Sequence, residues 1–261
     1  MRLSKNHIKN NMAMFTANYF LCAVLSFLFM EEKRTAGADG LTFAVLLGLF
    51  SGILFLLSFV LLEKSIKING VTISATFMKL GVLIPTMMAI VVFGEKPGID
   101  QIAGIALSIL AIFVINSEKG EKEKAGSVAL LLILLLGSGL TDSTINIYDK
   151  VGVSALKDHY LLFTFLSACF ISFVFWIKEK QKVTLKDVLF GFLIGIPNYF
   201  SSRFLLLALH SVDAVIIYPA YSVLTILAIS AAGYLIFKES LEKRKLYGIG
   251  IILLALVMLN I

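Results

Sequence analysis

Nine long apolar stretches alternate with short polar segments along the chain: Met12 to Met30, Leu41 to Leu62, Val71 to Phe93, Gln101 to Asn116, Ser127 to Asn146, Tyr160 to Ile177, Val188 to Leu209, Ala214 to Phe237 and Leu246 to Ile261. Each comes near the roughly 20 residues that cross about 30 Å of hydrocarbon as a helix. None alternates apolar and polar with period two, so the pattern predicts transmembrane helices rather than barrel strands. The connections are about a dozen residues or shorter, which leaves no room for a separate soluble domain.

The charges follow the same division. The chain has 23 Lys and Arg and 17 Asp and Glu, and only Lys79, Asp142 and Arg203 fall inside the apolar stretches. Composition agrees: 59% of the 261 residues are hydrophobic, 15% are charged and the mean hydropathy is +0.93. A soluble domain has about 25% charged residues, so a water-facing exterior is excluded. The net charge of +6 resides in short clusters at helix ends, where it serves insertion and lipid contact rather than nucleic-acid binding.

Little enzymatic chemistry is suggested. Cys22 and Cys169 lie within apolar stretches, where a thiol acts as a small packing group. His7, His159 and His210 are scattered, and there is no H-E-x-x-H, Walker loop or G-x-S-x-G, so no metal, cofactor or catalytic residue is expected. The basic start (Arg2, Lys5, Lys9) runs into the first stretch without a small-residue cleavage site, which predicts a retained helix rather than a signal peptide.

The chain also repeats itself. A shift of 144 pairs Phe93 with Phe237, Glu95 with Glu239, Gly104 with Gly248 and Asn116 with Asn260. One residue less upstream pairs Gly48 and Gly52 with Gly191 and Gly195, a G-x-x-x-G in both halves, which lets another backbone pack closely. The expected organisation is a first repeat over 1–117, a charged linker over 118–126 and a second repeat over 127–261. The first half has four stretches and the second five, its extra member being Ser127 to Asn146. Either the protein has nine spans, or a tenth precedes Met1; the second is favoured, because an unpartnered face would otherwise open to lipid.

The end of each repeat, PTMMAIVVFGEKPGIDQIAGIALSILAIFV and ILAISAAGYLIFKESLEKRKLYGIGIILLALV, resembles the EamA-type repeat of the drug/metabolite transporter (DMT) superfamily. Lys238 stands where that pattern has a glycine before Glu239. The resemblance implies an all-α multi-pass membrane protein of two inverted repeats: a carrier that moves a small polar or amphipathic solute across the cytoplasmic membrane by alternating access, with a cavity at the interface of the repeats. It brings no shared substrate signature. The partners expected are the solute and the lipid bilayer, with a homodimer left open. A non-transporting partner subunit and a membrane-embedded enzyme on lipid-linked substrates are the alternatives, the second weakened by a single embedded carboxylate.

Lys and Arg number 16 in connections on the side of the N-terminus and 5 on the other side, which predicts a cytoplasmic N-terminus and an outside C-terminus. Intramembrane charges are costly and are therefore functional candidates. Lys79 lies eight residues into its stretch, about 12 Å deep. It either contacts solute or a coupling ion, or its long stem carries the ammonium to an interface or to a buried carboxylate such as Asp142. In the seventh stretch Pro197, Asn198, Tyr199, Ser201, Ser202 and Arg203 replace Leu54, Phe55, Leu56, Ser58, Phe59 and Val60 of the first repeat. The fold tolerates apolar residues there, so polarity in the second copy points to function, with polar packing as the alternative. The candidate solute contacts are Lys79, Asp142, Asn198, Tyr199, Ser202, Arg203 and Tyr221, with Lys79 and Arg203 attracting an anionic group. Ser143 and Asn146 extend the Asp142 stripe, Tyr218 is assigned to the interfacial aromatic belt, and Asn18 to an interhelical hydrogen bond. Glu95 and Glu239 are expected to cap the helix that follows each of them, with Pro97 in the first turn.

Overall fold

The computed structural model describes residues 8–31, 39–69, 71–116, 127–179, 181–237 and 243–259. The linker over 118–126 and Glu239 lie outside the described residues. The helices are α1 (Asn11–Leu28), α2 (Leu41–Asn69), α3 (Val71–Leu80), α4 (Leu83–Val91), α5 (Ile99–Asn116), α6 (Val128–Val151), α7 (Lys157–Glu179), α8 (Leu185–Leu209), α9 (Ala214–Phe237) and α10 (Lys243–Leu259), with a 3-10 turn over Ser154–Leu156. No strand occurs among the described residues. Among the described residues, five segments are long and apolar enough to cross a membrane: α1, α2, α6, the segment Ser154–Glu179 and α8. Many large apolar side chains, among them Phe20, Leu46, Val91, Phe170 and Leu193, are exposed, as a lipid-facing exterior requires.

Each predicted stretch contains one helix except the third. The expected helix over Val71 to Phe93 is interrupted at Gly81 and Val82, and the reason is Pro85. Proline has no N–H to donate to the Gly81 carbonyl, and its ring crowds that carbonyl. The chain tightens instead: the N–H groups of Gly81 and Val82 reach back only three residues, to Met78 (3.2 Å) and Lys79 (3.3 Å). Ile84 donates to Gly81 at 3.0 Å, and α-helical bonding resumes with Thr86 to Val82. The corresponding α9 has Thr225 and Ile229 at the positions of Gly81 and Pro85, and it runs unbroken past its own Pro219.

The helices divide into two compact units, each drawing on both halves of the sequence. The first contains α1, α2 as far as Leu57, the end of α6, α7 and most of α8. In it α1 and α7 run antiparallel: the Thr16 hydroxyl donates to Ser172 at 3.2 Å, Tyr19 stacks on Phe165, and the Glu31 N–H donates to Asp158 at 3.1 Å. The two glycine pairs serve this core. A methyl group at Gly48 would lie 2.8 Å from the Tyr160 carbonyl, and one at Gly52 would press on Thr164 and Ser167 of α7. Equivalent groups at Gly191 and Gly195 would lie 2.5 Å from the Met14 carbonyl and 2.9 Å from that of Asn18, both on α1. Each G-x-x-x-G thus lets its helix approach the other half's backbone, which is how association is achieved where lipid supplies no hydrophobic drive.

The second unit contains the rest of α2, α3, α4, α5, α6 as far as Asn146, α9 and α10. Here α5 packs along α10, with Gly104 against Ala255 and Leu259. A core of Leu80, Ala111, Ile112 and Val223 joins α3, α5 and α9. The break between α3 and α4 rests on α6: a methyl group at Gly139 would lie 2.5 Å from the Gly81 carbonyl, and the Ser138 hydroxyl donates to Met78 at 3.1 Å.

The Gly-Glu turn after α4 works differently from expectation. Gly94 has φ +69, left-handed backbone that only glycine adopts without strain. It lets the chain turn so that the Glu95 N–H reaches back to the Ala89 carbonyl at the end of α4, at 3.0 Å. The Glu95 carboxylate then accepts from Ala214 (3.2 Å) and Val215 (2.9 Å), the free N–H groups at the start of α9. Glu95 therefore caps the start of α9, a helix of the other half of the sequence, which the expectation of a cap on the following helix did not include.

Candidate functional site

Arg203 and Lys79, the two cations embedded in apolar helices, have different surroundings. Arg203 belongs to the first unit, on α8. Its Nη1 donates to Asp158 Oδ1 at 2.7 Å, to the Phe29 carbonyl at 3.0 Å and to the Tyr199 hydroxyl at 3.1 Å. Its Nη2 reaches Glu31 at 3.3 Å. The Arg203 and Asp158 side chains are 12% and 6% exposed, so this is a buried, charge-assisted pair. Because Asp158 also accepts from Glu31, the cluster ties the end of α1 to the start of α7 and to α8. Phe29 stacks on Tyr199 and meets Phe200 edge-on, covering the pair with aromatic rings.

Asn198 and Ser202 serve the same α1–α8 contact. The Asn198 amide donates to Asn18 Oδ1 at 3.3 Å, which gives Asn18 the interhelical bond expected of it. The Ser202 hydroxyl donates to the Asn198 carbonyl of its own helix. Cys22 donates to the Gly195 carbonyl at 3.3 Å. Tyr199 is fully buried. Four of the seven sequence candidates are thus gathered in the first unit around Arg203 and the α1–α8 contact.

Lys79, Asp142 and Tyr221 come together in the second unit. Lys79 occupies the last turn of α3, beside the break, and its ammonium lies 5.5 Å from the centre of the Tyr221 ring. This is within the range of a cation–π attraction. The Lys79 and Asp142 charges attract each other. Yet no hydrogen bond or ion pair of either charged group occurs among the described residues. All three side chains are only partly buried. Asn146, one turn beyond Asp142 on α6, is fully buried, and neither of its side-chain polar atoms has a partner among the described residues. Tyr218 is fully buried rather than interfacial, and its hydroxyl donates to the Asp142 backbone carbonyl at 2.8 Å. This fixes α9 against α6 at the level of the site.

Two features escape sequence reasoning. Asp158 borders an apolar stretch and reads as part of a connection, and no spacing rule links it to Arg203, 45 residues away. The helix break does leave a signal, Gly81 four residues before Pro85, hidden because the apolar stretch continues across it.

A helical bundle with exposed apolar flanks and long apolar helices is that of a multi-pass membrane protein. Residues 4–117 match the model of the EamA-like transporter family, so this part of the chain is similar to that family. An uncharacterized protein of Haemophilus influenzae (strain Rd) is 23% identical over 203 residues, covering 76% of this chain and 69% of that protein. A protein crystal structure aligns over 99% of this chain and 90% of its own, with a TM-score of 0.72 and 12% identity, so the two share a fold.

Proposed function

We propose that the protein is a secondary transporter of a small polar or amphipathic metabolite, built from two inverted repeats and working by alternating access in the cytoplasmic membrane. Repeat-equivalent helices, α1 with α7 and α5 with α10, pack on one another, and α1 runs antiparallel to α7. This is the relation expected of inverted-topology repeats.

The observation that carries the solute site is Lys79 with Asp142: opposite charges, partly exposed and without hydrogen-bond partners among the described residues, beside a broken helix. Carriers of this architecture place solute sites where a transmembrane helix is interrupted near the midplane. Tyr221 forms an aromatic wall for the ammonium. In this reading Asp142, Lys79 and Tyr221 contact solute, whereas Arg203, Asn198, Tyr199 and Ser202 hold α1, α7 and α8 together.

The test is metabolite exchange in proteoliposomes loaded with a cell extract and read by mass spectrometry. Exchange should occur with the parent chain and be lost in Lys79→Met. Exchange that persists unchanged in Lys79→Met would remove Lys79 from the site.

A further inference from the structure

The pair in the second unit has a chemical consequence beyond solute contact. Lys79 and Asp142 together are neutral, and charges partly buried between apolar helices are costly unless compensated. An anion bound to the Lys79 ammonium would place two negative charges against one positive unless one were neutralised. The Tyr221 ring face favours the ammonium form of Lys79, so the group free to change protonation is Asp142.

Resting on the reading of Lys79 as a solute contact, we propose that the site takes a small monoanion together with one proton, the anion on Lys79 and the proton on Asp142. In the empty site Lys79 is an ammonium and Asp142 a carboxylate. When the anion binds, an O–H bond forms on Asp142 with a proton from water, and no bond to the anion is made or broken. On release the proton leaves with the anion, so the pair crosses the membrane without net charge.

The other titratable groups around the site are few. From α9 come Tyr221 under the ammonium and Tyr218, whose hydroxyl is committed to the Asp142 carbonyl. The α4 sequence has no titratable side chain, and that of α5 has only Asp100, exposed in its first turn. On the part of α2 in this unit, Glu63 pairs with Lys67 near the helix end, and Lys64 lies beside them in the same turn. Asp142 is therefore the carboxylate placed to answer a charge arriving at Lys79.

The experiment uses the purified full chain in detergent and sodium benzenesulfonate as the probe, since its anion carries no proton near neutral pH. Calorimetry measures binding, and a pH indicator in weakly buffered solution counts protons. Wild type should take up one proton per anion, with affinity rising about tenfold for each unit fall in pH while Asp142 is ionised in the empty site. Asp142→Asn, or Asp142→Ser should the first fail to fold, should bind the anion without proton uptake and without that pH dependence. Lys79→Met should lose binding, and Lys79→Arg should keep both binding and uptake. Binding without proton uptake in wild type, or uptake that persists in both Asp142 variants, would overturn the coupling and leave the transporter reading standing. Absence of Lys79-dependent binding would overturn the anion site. Failure of metabolite exchange would separately overturn the transporter reading.

Discussion

Arg203 and Lys79 look alike along the sequence, each a single cation in an apolar helix, but their surroundings assign them different work. Arg203 has a buried carboxylate at 2.7 Å, two further neutral acceptors and a second carboxylate at its rim. Lys79 has an aromatic face and the attraction of Asp142, with no hydrogen bond or ion pair of its own among the described residues. A cation whose donors are filled by its own chain has little left to offer a solute. One whose donors are open is held ready at the cost of stability. In the proposed reading, the charge that serves the solute is told apart by its lack of partners among the described residues rather than by burial alone.

The sharpest way to break this contrast is to remove the carboxylate partner on each side. Asp158→Ala leaves Arg203 buried without its main counter-charge and should lower stability by about 3–5 kcal/mol, read as a fall in the melting temperature of the purified protein. Replacing both Asp158 and Arg203 by Leu should recover most of that loss, because an apolar pair of similar volume is often as stable as a buried ion pair. Asp142→Ala should cost clearly less than Asp158→Ala. An equal loss at both positions would mean that Lys79 and Asp142 are as structural as the Arg203 pair.

A smaller effect tests whether close backbone approach underlies both units. Gly52→Leu, pressing on α7, and Gly139→Leu, pressing on the α3–α4 break, should each destabilise by about 1–3 kcal/mol. Only the second should also disturb solute exchange, since it displaces Lys79. Gly94→Ala meets no neighbouring atom within 4 Å, so its cost, about 1–2 kcal/mol, should come from the left-handed backbone alone. Smallest is Glu95→Ala, which removes the carboxylate cap from α9 and should cost about 1 kcal/mol in thermal unfolding.

Much of the fold was legible because membrane helices obey one strong constraint, that backbone polar groups be satisfied within each segment. Apolar length therefore located the helices, and the paired glycines announced the close crossings with α7 and α1. The interruption between α3 and α4 was obscured because Pro85 and Gly81 do not alter hydropathy. The roles of Glu95 and Tyr218 were misassigned for a related reason: each acts on a helix remote in sequence, and local capping or belt rules cannot reach that far. The candidate residues were correctly named as polar intruders. Separating the Arg203 clamp from the proposed Lys79 site required knowing that Asp158 lies against Arg203, and no periodicity encodes that contact.

The most direct test of the account compares two variants in the same proteoliposome exchange assay, with stability measured in parallel. Lys79→Met should keep its melting temperature within the equivalent of about 1 kcal/mol and lose exchange, whereas the Asp158→Leu, Arg203→Leu double variant should fold and retain exchange. Loss of exchange in the double variant with retention in Lys79→Met would contradict the assignment.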